Sequence, residues 1–330
     1  MPVLNGVKFL SRIADCVASQ TYADYEVLYV VSDLSVDETL DEALRLSEGV
    51  DRARVLEYRD VGALGGSKNF GIDNALGDRI CFFDVDDVPS PDYLSEAVRI
   101  MDSTGADVVG CNFVYASEAC DFPVFEGDFG VRVMGSMEAL EARAAERFPV
   151  TSWSMVIDAG LLRRTGLRFP DGIAEDIEFT YHLLMRAGKV CYNERPLYMY
   201  VVTPGSIVNN PAGRDRRGSL EVARYDALEE EFRALGMPDR FGQRFTLLRI
   251  RSAGHMSYGA FMRYVKGPEA RSAIGRNASP HVLLEGAFAC CLSTVYFILI
   301  RAFFRLFYYS PGRTYTPLPV GVRVKGGAAA

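Results

Sequence analysis

The sequence predicts an α/β chain whose mostly parallel sheet is covered by helices on both faces, and three observations carry that prediction. Apolar runs of strand length recur at 25–31 (YEVLYVV), 53–58 (ARVLEY), 79–83 (RICFF) and 106–116 (ADVVGCNFVYA). Segments with apolar residues at helical spacing separate them. A glycine-rich stretch, GALGGSKNFGIDNALG (62–77), leads from loop into one of those helices. Strands spaced by helices of this length pair in parallel and bury both faces.

The elements follow in order. Phe9, Leu10, Ile13 and Val17 mark a helix ahead of the 25–31 strand, and Leu40, Ala43 and Leu44 mark the next helix face. After the strand at 79–83, Ser90 and Pro91 read as a cap and first-turn proline of a helix running to about Met101. From 117 to 205 the pattern is less regular, with an isolated Trp153. Within it, Ile177, Phe179, Tyr181 and Leu184 follow Glu175 and Asp176, so the acidic pair opens a helix. Residues 211–279 are polar and helical in character, and no internal repeat is visible. The expected division is 1–116 and 117–210 as two halves of one α/β domain, 211–279 as a helical extension and 280–330 as a basic, apolar tail.

In parallel sheets ligands bind beyond the carboxyl ends of the strands. Asp33, ending YVVSD, and Asp84, Asp86 and Asp87, ending ICFFDVDD, fall on that edge. Asp84 and Asp86, two residues apart, can point the same way from a strand end. Hard carboxylate oxygens suit Mg²⁺ or Mn²⁺. Asp87 reads equally well as a structural or helix-starting carboxylate, and Asp33 as a turn aspartate.

Bulk composition narrows the partners. At 330 residues, 49% hydrophobic and 24% charged, the chain is an ordinary globular one. Seven scattered cysteines without a CxxC suggest neither a disulfide framework nor a zinc site and fit a reducing, cytoplasmic setting. His182, His255 and His281 lack ligand spacing. The net charge of −7 hides an asymmetry, because residues 240–330 hold 13 Lys/Arg against only Glu269 and Glu285. A basic end on an acidic body points to a polyanionic surface. The run 281–309 is apolar except for Glu285, Arg301 and Arg305, a mix that fits a helix lying in a membrane interface better than a span. The competing reading is a hydrophobic helix docked on the body. No nucleic-acid module is recognisable, so an anionic membrane surface is the expected partner of 240–330. The opening MPVLNGVKFL lacks the basic start and apolar run of a signal peptide.

The order of these motifs resembles the family 2 inverting glycosyltransferases of the GT-A fold, of the type that builds bacterial envelope and capsular polysaccharide. PVLNGVKFL looks like the end of that family's first strand with its Pro-x-x-Asn turn, and SQTYADYEVLYVVSDLSVDETLD like its second strand and Asp loop. GGSKNFGIDNALGDRICFFDVDD is similar to the helix before the metal-binding Asp-x-Asp. GLRFPDGIAEDIEFTYHLL followed by RPLYMYVVTPGSI looks like the acceptor-side Glu-Asp helix and the Tyr-x-Tyr…Ser segment. The resemblance implies a Rossmann-like GT-A domain with a C-terminal helical region. It implies Asp86 and Asp84 on a Mg²⁺ or Mn²⁺ ion, with Pro2, Asn5, Asp33, Lys68, Asn69 and Asp84 toward the nucleotide. Asp176 would then be the general base and Glu175 an acceptor-orienting neighbour.

The implied activity moves a sugar from a nucleotide-sugar, a UDP-sugar first, to a saccharide or lipid-linked saccharide at the inner face of the membrane. Departures are plain. Lys68 stands where the family usually has Arg, Ser32 where a first Asp is common, and no Gln-x-x-Arg-Trp segment of a processive synthase is present. The family's first strand is expected ahead of Pro2, so that strand reads as missing, from a start placed too late or from a specialised copy. The alternatives are a non-catalytic sugar-nucleotide-binding or membrane-scaffold protein, and a glycoside hydrolase using two carboxylates. The hydrolase leaves the nucleotide-side motifs without a purpose.

Overall fold

A computed structural model of the chain describes residues 1–59, 64–203, 213–303, 310–320 and 322–325. Two compact units emerge: Met1–Arg143, Arg147–Val201 and Pro311–Ala330 form the first, and Ala144–Glu146 with Val202–Ser310 the second.

The first unit opens with β1 (Pro2–Val3), α1 (Val7–Ala18), β2 (Val27–Ser32), α2 (Thr39–Ser47) and β3 (Ala53–Tyr58). These strands make a parallel sheet in the order β1-β2-β3, with Pro2 opposite Val30 and Val27 to Ser32 opposite Ala53 to Tyr58. Where the first strand reads as missing, the chain starts with a two-residue strand paired to β2. Helix α1 buries Leu10, Ile13 and Val17, as its spacing predicts. Helix α2 buries Thr39 and Ala43, whereas Leu44, expected on that face, is exposed. Its buried stripe runs through positions 39 and 43, and residue 44 lies past its edge.

A second, mixed sheet follows from α3 (Leu64–Asn74), β4 (Arg79–Cys81), β5 (Val88–Pro89), α4 (Tyr93–Thr104), β6 (Val108–Ala116), β7 (Val124–Glu126), β8 (Val131–Met134) and α5 (Ser136–Ala144). It is completed by β9 (Met155–Asp158), α6 (Ala159–Thr165), α7 (Glu175–Arg186) and β10 (Val190–Val201). The strand order is β4-β9-β6-β10-β5, with β8 also on β10. The β6–β10 pair is parallel, while β9, β5 and β8 run antiparallel to their neighbours. Strand β9, lost in the irregular part of the sequence, thus stands between the two strands read as consecutive.

Two boundaries differ from expectation for a packing reason. Strand β4 stops at Cys81 because Phe82 and Phe83 turn into the core, edge-on to Phe169 and Tyr93 respectively. Helix α4 starts behind Asp92 instead of at Pro91. Pairing of Val88 and Pro89 with β10 keeps that stretch extended, and the Ser90 carbonyl then accepts from Tyr93 N at 3.0 Å in a turn.

The chain's last described segment belongs to this unit. Strand β11 (Arg323–Lys325), introduced after the second unit, pairs with β7. Just before it, Thr314 bridges Val114, and Tyr315 N donates to the Phe113 carbonyl at 2.8 Å. Residues 312–316 occupy the edge of β6 that β9 leaves open. Part of the stretch read as a membrane tail is therefore bridged to β6 at Thr314.

The second unit contains α8 (Arg214–Ala234), α9 (Arg240–Ala253), α10 (Tyr258–Lys266), α11 (Pro268–Arg276), α12 (Pro280–Cys291) and α13 (Ser293–Phe303). Its core gathers Val222, Ile250, Met256, Phe261, Val265, Ala289 and Tyr296. Arg249, 1% exposed, pairs with Asp226 and Glu229 beneath α8. No single described helix is long and apolar enough to cross a membrane, and α12 and α13 meet at 112°. Together they leave Leu283, Leu284, Leu292, Val295, Ile298, Leu299 and Phe303 exposed. Residues 304–309, including Arg305, lie outside the described residues.

Candidate active site

The site is built on the carboxyl ends of the first unit's strands, where the sequence places it. Asn5 follows β1 with φ of +50°, a left-handed conformation that Asn tolerates better than most residues. From there its Oδ1 accepts from Val36 N at 2.9 Å, and its own N–H donates to Ser35 Oγ at 3.3 Å. The expected nucleotide residue thus fixes the loop after β2. Asp33 heads that loop, exposed, with its backbone N–H donating to the Tyr58 carbonyl at 3.0 Å. Pro2 sits in β1 beside Val30.

Asp84, Asp86 and Asp87 leave β4 in different directions. Asp87 is 1% exposed, and its Oδ1 accepts from Val201 N at 2.8 Å, tying the turn to β10. Burial raises its carboxyl well above the ordinary value. Asp87 is the structural carboxylate of the three. Asp84 N donates to Tyr198 Oη at 3.1 Å, and the Asp86 carbonyl accepts from Arg12 at 2.7 Å. Burial pushes the Asp84 carboxyl up to about 7; Lys68 opposes the rise, and Asp86, Asp176 and Glu175 add to it. Four carboxylates therefore act on one another here, with a single lysine among them.

That lysine is 3% exposed and comes from α3. Lys68 Nζ donates to Glu175 Oε1 at 2.7 Å, Asp176 Oδ1 at 2.9 Å and Ser152 Oγ at 3.0 Å. Burial would lower its pKa, but Asp176, Glu175 and Asp84 outweigh that and raise it. Ser152 N donates to the other oxygen of Asp176 at 3.3 Å. Helix α7 begins with Glu175 and Asp176 as the sequence predicts, behind Ala174 at φ +59°. A side chain held at positive φ costs of order 1 kcal/mol, a strain typical of functional sites.

Asn69, expected toward the nucleotide, makes two bonds with Phe169: its Nδ2 donates to the carbonyl at 2.9 Å and its Oδ1 accepts from the N–H at 2.8 Å. Two participants, Ser152 and Trp153, are given no role by the sequence. Ser152 lies in a short 3₁₀ turn with no motif to flag it. Trp153, noted only as isolated, stacks on Tyr198 and Tyr200 at centroid distances of 4.5 and 5.6 Å. Tyr198 sat inside the quoted RPLYMYV segment, which was the available signal. The end of that segment, 204–207, lies outside the described residues.

Among the described residues no group of three or more His, Cys, Asp or Glu side chains is gathered for a metal. Asp84 and Asp86 offer two hard oxygen ligands on this edge. That donor set fits Mg²⁺ or Mn²⁺ if a ligand supplies further oxygens, and it does not fit a soft metal.

Comparison with known proteins bears on the fold and the family. The Glycosyl transferase family 2 profile matches residues 1–149. The chain is 26% identical over 222 residues to glycosyltransferase GlyA of Streptococcus pneumoniae, covering 63% of this chain and 30% of that protein. It is 27% identical over 216 residues to the glycosyltransferase EpsJ of Bacillus subtilis, covering 64% of this chain and 62% of the other. The match thus spans less than two thirds of either relative. Among solved structures, Staphylococcus aureus TarS 1–349 in complex with UDP-GlcNAc aligns with a TM-score of 0.62 at 17% identity, over 99% of this chain and 98% of that one. The mannosyltransferase PcManGT from Pyrobaculum calidifontis, in complex with GDP-Man and Mn²⁺, aligns with a TM-score of 0.54 at 18% identity, over 94% and 86%. Residues 1–149 are thus similar to glycosyl transferase family 2, and the chain has the GT-A fold.

Proposed function

We propose that this protein is a metal-dependent inverting glycosyltransferase that moves a sugar from a nucleotide-sugar, a UDP-sugar first, to a saccharide or lipid-linked saccharide in cell-envelope glycan synthesis. The observation that carries the reading is the meeting of two carboxylate pairs, Asp84 with Asp86 and Glu175 with Asp176, around buried Lys68. Two relatives with structures in complex with UDP-GlcNAc and with GDP-Man and Mn²⁺ support a nucleotide-sugar as donor.

Each residue then has a task. Asp84 and Asp86 would hold a Mg²⁺ or Mn²⁺ ion, which would supply positive charge against the leaving diphosphate. Asn5 and Asp33 shape and line the loop after β2 for the nucleoside, beside Pro2. Asp176, with both oxygens already oriented by Lys68 and Ser152, takes the proton of the acceptor hydroxyl as that oxygen attacks the anomeric carbon. Glu175 orients the acceptor from the neighbouring position. Trp153, Tyr198 and Tyr200 form an aromatic stack behind Asp84 that keeps the site's back wall dry.

The exposed apolar face of α12 and α13, flanked by Arg244 and Arg301, attaches the protein peripherally to an anionic membrane at its inner face, close to lipid-linked acceptors. Seven free cysteines fit that reducing side. The test is UDP release from a panel of UDP-sugars by the wild type and Asp176→Asn. Turnover by the wild type, with Asp176→Asn binding UDP equally but losing about 100-fold or more in rate, is expected. Release of free sugar from glycosides without any nucleotide would overturn the reading.

A further inference from the structure

Lys68 invites a nucleotide contact by its place before Asn69, yet the side chains that accept its hydrogen bonds are all acceptor-side. An ammonium has three N–H donors, and Glu175, Asp176 and Ser152 converge on Lys68 Nζ at 2.7, 2.9 and 3.0 Å. No donor is left over for a phosphate or base. The ring of Phe169 covers the ammonium at 4.9 Å, and Phe169 in turn stacks on Phe179 of α7 at 3.7 Å. Side chains from α3, the 152–154 turn and α7 thus close around one atom.

The choice of lysine follows from that geometry. Three acceptors meeting at a point suit a compact ammonium, whereas a guanidinium spreads its donors over a planar fork. Without a cation there, the carboxylates of Glu175 and Asp176 would repel each other, and both would face Asp84. One oxygen of Asp176 is set by Lys68 and the other by Ser152 N, so removing Lys68 frees the carboxylate to turn.

We infer that Lys68 is a positioning residue for the acceptor-side carboxylates, holding Asp176 in one orientation and Glu175 beside it, and makes no contact with the nucleotide. This rests on the proposed role of Asp176. The chain has five lysines, which makes their ammonium groups tractable by NMR with ¹⁵N at Nζ. One slowly exchanging ammonium is expected, absent in Lys68→Met and displaced in Asp176→Asn. With UDP and Mn²⁺ as the probe, Lys68→Met should keep its affinity within about threefold while UDP release from UDP-N-acetylglucosamine falls about 100-fold. An ammonium exchanging as freely as the other four overturns the inference, as does a loss of UDP affinity of about tenfold or more. Unchanged turnover in Lys68→Met overturns it as well. Should that variant not fold, the wild-type signal and its response to Asp176→Asn decide alone. Failure of the wild type to bind UDP would count against the proposed function instead, and the ammonium signal would still report on Lys68.

Discussion

Replacing Tyr315 by Ala tests whether the last described segment is part of the catalytic unit. The Tyr315 ring stacks on Phe113 at 4.9 Å and 15°, and its hydroxyl donates to the Phe148 carbonyl at 3.0 Å. An aromatic pair contributes about 0.5–1.5 kcal/mol beyond area burial, and a hydrogen bond of this kind about 1 kcal/mol. Half-burial of the ring adds about 1 kcal/mol more. The sum is about 3 kcal/mol, which for a unit of this size lowers Tm by about 6–10 °C. Tyr315→Phe, losing only the hydroxyl, should cost about 1 kcal/mol. The assay is thermal melting combined with hydrogen exchange at Tyr115, whose N–H donates to the Arg313 carbonyl at 2.9 Å. Faster exchange at Tyr115 in Tyr315→Ala is expected. An unchanged melt with unchanged protection of Tyr115 would refute the assignment of 312–316 to the β6 edge.

Three further outcomes follow from the same structure. Glu221 is buried, yet Arg217 and His255 outweigh burial and hold its carboxyl at about 2, below its ordinary 4.5. A depressed carboxyl stabilises the fold above pH 4.5 and loses that contribution as pH falls toward 2, so Glu221→Gln should remove about 3 kcal/mol at neutral pH and flatten the acid limb of stability. Denaturant titrations from neutral pH downward check it. A Cβ at Gly65 would lie 2.3 Å from the Pro170 carbonyl, whereas at Gly71 it meets Val30 Cγ2 at an ordinary 3.6 Å. Gly65→Ala should therefore cost about 1–3 kcal/mol, and Gly71→Ala should stabilise by about 0.5–1 kcal/mol, in denaturant melts. Leu284 is 74% and Ile298 60% exposed, and replacing both with Glu should cut flotation with anionic vesicles about tenfold or more. Equal flotation by wild type and variant would remove the membrane assignment.

Much of the site was legible because its signals are local. Asp84 and Asp86 announce themselves as carboxylates ending an apolar run, and Glu175 with Asp176 as a pair ahead of a helical stripe. The 53–58 strand matches β3 residue for residue. What escaped depends on partners far along the chain. Nothing in residues 152–154 tells that Ser152 will face both Lys68 and Asp176, from 84 and 24 positions away. Strand β9 hides because it is four residues long and antiparallel between strands already assigned. The bridged segment at 312–316 lies within an apolar, basic run whose composition gives no sign of where it pairs. Lys68 shows the same limit from the other side: its position in the motif suggested a nucleotide contact, and only its three acceptors show which way it points.

Calorimetric titration of UDP into the protein, with and without Mn²⁺ and on Asp86→Ala, bears most directly on the central claim. Binding that requires Mn²⁺ and disappears in Asp86→Ala is the predicted result. UDP binding of equal strength with or without the metal, or binding untouched by Asp86→Ala, would contradict the claim that Asp84 and Asp86 follow β4 to hold a metal and a diphosphate.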